Sequence, residues 1–90
     1  MMRARHTPDS TSILRWALMK GRRVLTCEIL ATDRGGFDVV VVPLWDINAA
    51  VIEPYDRAAD AMRRHAEIAA AFRQAGWAVA RQTAGTEVAA

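Results

Sequence analysis

A chain of 90 residues has room for one domain and one modest core. With 52% hydrophobic and 24% charged residues its balance is that of a globular chain, not a disordered or fibrous one. Twelve Lys+Arg against ten Asp+Glu leave a formal net charge of +2, too little to dictate a polyanionic partner.

The basic residues are almost all arginine and are scattered among acids. The single cysteine, Cys27, excludes an internal disulfide and fits a reducing cytoplasm. Ile13 to Met19 is the only candidate signal-peptide core; it is short, is broken by Arg15, and is followed by Lys20, Arg22 and Arg23. No run approaches the roughly 20 apolar residues of a membrane span. A cytoplasmic protein with no membrane contact is the expectation.

In chain order, residues 1–11 (MMRARHTPDST) are polar and aperiodic and read as a flexible arm. Ile13 to Lys20 and Arg23 to Thr32 flank Gly21-Arg22, a two-residue turn with glycine where a type II′ hairpin wants it. That turn pairs Lys20 with Arg23, Leu18 with Leu25, Trp16 with Cys27 and Leu14 with Ile29 on one apolar face. On the other face it pairs Met19 with Val24, Ala17 with Thr26, Arg15 with Glu28 and Ile13 with Leu30. The opposite charges of Arg15 and Glu28 support this register.

The next connection, Asp33 to Gly36, precedes Phe37-Asp-Val-Val-Val-Val-Pro43. A three-residue loop with a left-handed glycine pairs Ala31 with Val39 and Ile29 with Val41, turning Phe37, Val39 and Val41 inward. A four-residue loop turns Val40 and Val42 inward instead. The valines fill both parities, so hydrophobic pattern alone leaves the register open, and burial of Phe37 favours the first. Pro43 ends the strand or sits at an edge. A short fourth strand covers about Ala49 to Glu53.

A helix follows, with Asp56 as N-cap and Gly76 as C′ residue. Ala58, Ala61, Met62, His65, Ile68, Ala69 and Phe72 fall on one stripe at 100° per residue. Asp60, Arg63, Arg64, Glu67 and Gln74 lie opposite, with Asp60–Arg64 and Arg63–Glu67 at helix-stabilising spacing. The tail, residues 81–90, reads as flexible. The expected fold is α+β: residues 12–80 form a four-stranded antiparallel meander with one C-terminal helix packed on one face, β-β-β-β-α.

Trp16 in the first strand, Lys20-Gly21-Arg22, Leu25-Thr26-Cys27, Gly36-Phe37 and Gly76-Trp77 together resemble the pattern of a loose group of small bacterial proteins of unknown function. The resemblance spans most of residues 13–77 and implies the meander-plus-helix fold. It rests on structural residues and implies no activity and no cofactor.

Candidate sites are few. Cys27 on the inner sheet face and His65 on the helix stripe are the one catalytic pairing, since a thiol–imidazole contact makes a nucleophile. The competing reading is a small buried thiol beside a histidine satisfied by a backbone carbonyl, and it is the favoured one. His6, Cys27 and His65 lack metal-ligand spacing. Asp46, Asp56 and Asp60 are better explained by turn, cap and ion-pair chemistry than as catalytic carboxylates. Gly35-Gly36 lacks the context of a phosphate loop.

Two association readings remain. A meander followed by a helix is, at the level of topology, similar to single-strand nucleic-acid-binding proteins that pair into dimers. Arg15, Lys20, Arg22, Arg23 and Arg34 are the candidate contacts, with Trp16 and Trp45 available for stacking. Trp16 is expected inward, however, and Glu28 and Asp38 share the outer face with Arg15. The favoured reading is a non-enzymatic interaction module that forms a homodimer through its outer sheet face, at Ile13, Met19, Leu30, Val40, Val42 and Trp45. A thiol-dependent enzyme ranks third.

Overall fold

The computed structural model describes residues 11–84; of the expected arm, residues 1–11, all but Thr11 lie outside them, as does the tail beyond Ala84, and Thr11 opens the first strand instead. The elements are β1 (Thr11–Lys20), β2 (Arg23–Ala31), β3 (Phe37–Pro43), a 3-10 turn (Ile47–Ala49), β4 (Val51–Tyr55), α1 (Ala58–Gln74) and β5 (Ala78–Ala84). They form an α+β fold in which one helix packs on an antiparallel five-stranded sheet of order β4-β3-β2-β1-β5.

The fifth strand is an addition to the expected four. β5 pairs with β1 antiparallel, from Met19↔Ala78 to Leu14↔Ala84, with a bulge between Ala17 and Leu18. Its residues 81–84 belong to the sheet and not to a tail. Only Val79 of this strand packs against the core, so it carries almost no apolar alternation by which to be recognised.

The β1–β2 hairpin has the expected register from Lys20↔Arg23 through Leu14↔Ile29. Gly21 has φ 63 and no non-glycine residue among those described has positive φ, as a II′ turn requires. A bulge between Ser12 and Leu14 changes the far end: Ser12, not Ile13, lies opposite Leu30. Ile13 packs against the core and is withdrawn from the outer face.

The β2–β3 pairing keeps the expected parity but shifts by two residues. Ala31 pairs with Phe37, Ile29 with Val39 and Cys27 with Val41. The connection spans residues 32–36 because Thr32 closes it: its N–H donates to the Gly36 carbonyl (2.9 Å), and its Oγ1 accepts from the Gly36 N–H (3.2 Å). Val39 is fully buried against the helix side. The outer row is therefore Glu28–Val40 and Leu30–Asp38, not Ile13–Leu30–Val40.

Helix α1 begins at Ala58 with Arg57 at the N-cap and no side-chain cap bond, so Asp56 does not cap it. Its C-terminus is a Schellman motif around Gly76 (φ 98): Trp77 N–H donates to Phe72 O and Gly76 N–H to Arg73 O, both 3.0 Å. Ala61, His65 and Ala69 are the buried positions, while Met62 of the expected stripe stays exposed. The alanines permit close approach to Leu18, Leu25, Cys27, Ile29 and Val39, which form the core with Ala61. Ion pairs on the helix surface run at i,i+3, Asp60–Arg63 and Arg64–Glu67, in place of the expected i,i+4 pairs.

Candidate functional site

Strand alternation and one covering helix divide the sheet into two unlike faces. Leu18, Leu25, Cys27, Ile29 and Val39 point toward α1. Their neighbours Met19, Val24, Thr26, Glu28, Leu30, Val40, Val42 and Ile52 point away, with Arg15, Ala17 and Arg81 beside them. Among the described residues no element covers this second face. Ile52, which the sequence reading omitted, is 61% exposed, and Met19 42%. Thr26 is buried at the centre of the face by its own neighbours, Ala17 and Val42 across the strands. Arg15 and Glu28 stand opposite each other in register, yet among the described residues neither forms an ion pair. Arg15, Ala17, Arg81 and Thr83 line a shallow depression on the same face.

Cys27 and His65 do come together on the inner face. The contact, though, is from the His65 ring to the Cys27 backbone: Nε2 lies 3.0 Å from the Cys27 carbonyl oxygen and donates to it in the Nε2–H tautomer. Burial pushes the thiol up to about 11, outweighing the favourable field of Arg64. Burial also holds the imidazole below its usual range, against the opposing effect of its bond to Cys27 O. Trp16 meets the His65 ring edge-on at 5.4 Å and so faces inward as expected. A protonated thiol and a neutral imidazole bonded elsewhere have the chemistry of a core contact, not of an activated nucleophile. No group of three or more metal-ligating side chains occurs among the described residues.

The candidate basic contacts split into three places. Lys20, Arg22 and Arg23 surround the β1–β2 turn, Arg15 lies mid-sheet on the outer face, and Arg34 occupies the β2–β3 connection at the other end of β2. Among the described residues only Arg23, in the first group, meets an aromatic ring. Trp45 stacks on Trp77 with centroids 5.9 Å apart and planes 21° from parallel, and the Arg23 guanidinium carbon lies 4.9 Å from the Trp45 centroid. Trp77 in turn meets Phe72 edge-on at 5.6 Å. Trp45 thus belongs to the end of the molecule where α1 stops, not to the outer sheet face. The sequence contained both signals, an apolar residue after a C′ glycine and a tryptophan after a strand-ending proline, but not their meeting.

A third feature was not foreseen. Between α1 and the β3–β4 edge runs a groove of about 430 Å³, walled by Val41, Val51, Ile68, Ala71, Phe72 and Ala75. Its polar end is a network. Arg64 donates from Nε to Glu53 Oε1 (2.9 Å), from Nη2 to Glu53 Oε2 (3.3 Å) and from Nη1 to Glu67 Oε1 (3.3 Å). Tyr55 donates its hydroxyl to Glu53 Oε1 at 2.9 Å. The Arg64 and Tyr55 bonds hold the Glu53 carboxyl below its ordinary range, and desolvation and the Glu53 bond hold Tyr55 above its own. With Glu53 accepting from both neighbours, this network's evident work is to fasten β4 to α1.

Comparisons with protein-family models, with curated proteins and with solved structures gave no match.

Proposed function

We propose that the protein is a non-catalytic interaction module whose outer sheet face pairs with the same face of a second copy. One observation carries this reading: among the described residues a five-stranded sheet has a helix on one face only, and the opposite face presents Met19, Leu30, Val40, Val42 and Ile52. A flat apolar surface of this kind is costly in water and favours association. The charges on it favour a copy of itself over an unlike partner. Arg15 and Glu28 are adjacent, of opposite sign, and without an ion pair among the described residues. A C2 axis through the face sets Arg15 of each copy against Glu28 of the other, which is the self-complementarity an isologous contact needs. The geometry at Cys27 and His65 supports the non-catalytic half of the reading, because the thiol stays protonated at neutral pH.

Sedimentation equilibrium tests it. The expected mass in the micromolar range is that of a dimer, and Val40→Lys yields a monomer of unchanged far-ultraviolet circular dichroism. Arg15→Glu and Glu28→Arg each weaken the dimer, and the double variant R15E/E28R restores it. A wild-type monomer at high micromolar concentration, or a double variant no better than the singles, overturns the reading.

A further inference from the structure

We propose that the Trp45–Trp77 pair, with Arg22 and Arg23, is a stacking platform for single-stranded nucleic acid. This site is separate from the outer sheet face and does not depend on the dimer.

Both rings are fixed from the backbone. Leu44 N–H donates to Val24 O (3.0 Å) and Asp46 N–H to Pro43 O (3.0 Å), which pins the turn that carries Trp45. Trp77 is held by the Schellman bond to Phe72 O and by the edge of the Phe72 ring. Fixed rings lose little freedom on binding, and stacking on them costs little ordering entropy. Trp45 nevertheless remains 46% exposed. Burial of the domain core does not require that exposed surface, since the core cluster is formed by Leu18, Leu25, Cys27, Ile29, Val39 and Ala61.

The charge around the rings has one prevailing sign. Arg22 lies in the β1–β2 turn next to Arg23, the first residue of β2, and Arg23 already lies over Trp45. Lys20 Nζ donates to the Ala75 carbonyl at 2.6 Å, so it serves the helix end first, and Arg73 is in the last helical turn. Asp46, next to Trp45, is the acidic residue beside the platform. Trp77 and the Arg23 guanidinium both lie on Trp45, so the site suits a ligand that offers Arg23 an anion in exchange for the ring and a π-face to replace it, repeated along a chain. That is the chemistry of nucleobases and phosphates, bound by stacking and by backbone charge. Arg34 and Arg15 lie away from this cluster and take no part.

Titrating the full chain with oligothymidylate of about ten nucleotides, followed by tryptophan fluorescence, tests the proposal. The expected result at low salt is saturable quenching that weakens as salt rises, with a slope near −0.7 per phosphate neutralised. Trp45→Ala weakens binding roughly 5- to 150-fold. Arg22→Ala, at an exposed turn position that leaves the fold intact, lowers the salt slope by about 0.7, whereas Arg34→Ala leaves it unchanged. Absence of quenching at low salt overturns the proposal. So does an abasic strand of the same length that binds as well as the oligothymidylate, or a Trp45→Ala variant that binds like wild type.

Discussion

His65 and Cys27 show how the same two side chains yield opposite conclusions depending on which atoms meet. The imidazole is used up by the Cys27 carbonyl, and the buried thiol keeps its proton. Both groups then make stability depend on pH, in opposite directions. His65 titrates below its ordinary 6.5 in the folded chain, so the unfolded chain takes up the proton first as pH falls. Its contribution is present above about 6.5 and is lost as pH drops through the lower folded value. For Cys27, with its folded value raised from 9.0 to about 11, the unfolded chain ionises first as pH rises. That contribution is complete below pH 9.0 and is lost on the way to about 11. Urea unfolding across pH should therefore give a plateau with two falling flanks. His65→Gln keeps a donor but cannot titrate, and it should remove only the part of the acid flank that begins near 6.5, leaving the part below 4.5 that Glu53 carries. Cys27→Ala should delay the alkaline fall from 9.0 to the region above 10.0 where Tyr55 titrates, and from a lower plateau, because it leaves a small cavity. If either variant keeps the wild-type flank, its residue is not the source of that flank.

Elements were legible where short-range chemistry sets them and illegible where a partner does. The β1–β2 register follows from Gly21 and an alternating pattern, and it holds from the turn to Leu14. Beyond that point the Ser12–Leu14 bulge has no signature in the residues. The β3 parity was readable because Phe37 needed burial, but its register depended on Thr32 bonding to Gly36, a contact of a residue that otherwise reads as strand. β5 was missed because an edge strand made of Ala78-Val-Ala-Arg-Gln-Thr-Ala84 needs only the open edge of β1 to form. The helix C-terminus was the opposite case, since Gly76-Trp77 encodes its own stop. The chemistry there is specific enough to test. Gly76 at φ 98 allows the Trp77 N–H to reach Phe72 O, and a Cβ on it meets Lys20 Cε at 3.4 Å. Gly76→Ala should cost about 1–2 kcal/mol in urea unfolding. Gly76→Asn should cost less, because asparagine tolerates positive φ. An alanine variant as stable as the asparagine one argues that the left-handed cap is not what stops the helix.

For the molecule as a whole, the size of the core bears on its state of association. The buried hydrophobic residues among those described are Leu18, Leu25, Cys27, Ile29, Val39, Ala61 and Ala69, and only four of them are large aliphatics. The one helix is rich in alanine and buries small side chains, and Val24, Leu30, Val40 and Val42 on the other face stay only half-buried while it is wet. Stability then has to depend on whether that second face is covered. If a second copy covers it, folding and association are linked, and unfolding shifts with protein concentration by mass action. Each tenfold rise in concentration adds about 1.4 kcal/mol per dimer, or about 0.7 per protomer. For a domain of this size that corresponds to a rise of about 3–6 °C in Tm. Scanning calorimetry of the wild type across two decades of concentration should show this climb. Val40→Lys, with its charge on the outer face beside Glu28, should melt lower and at a Tm that ignores concentration. A wild-type Tm independent of concentration means that the outer face is not closed by a copy of the chain, whatever the variant does. A Val40→Lys Tm that still climbs with concentration means that the copies meet somewhere other than this face.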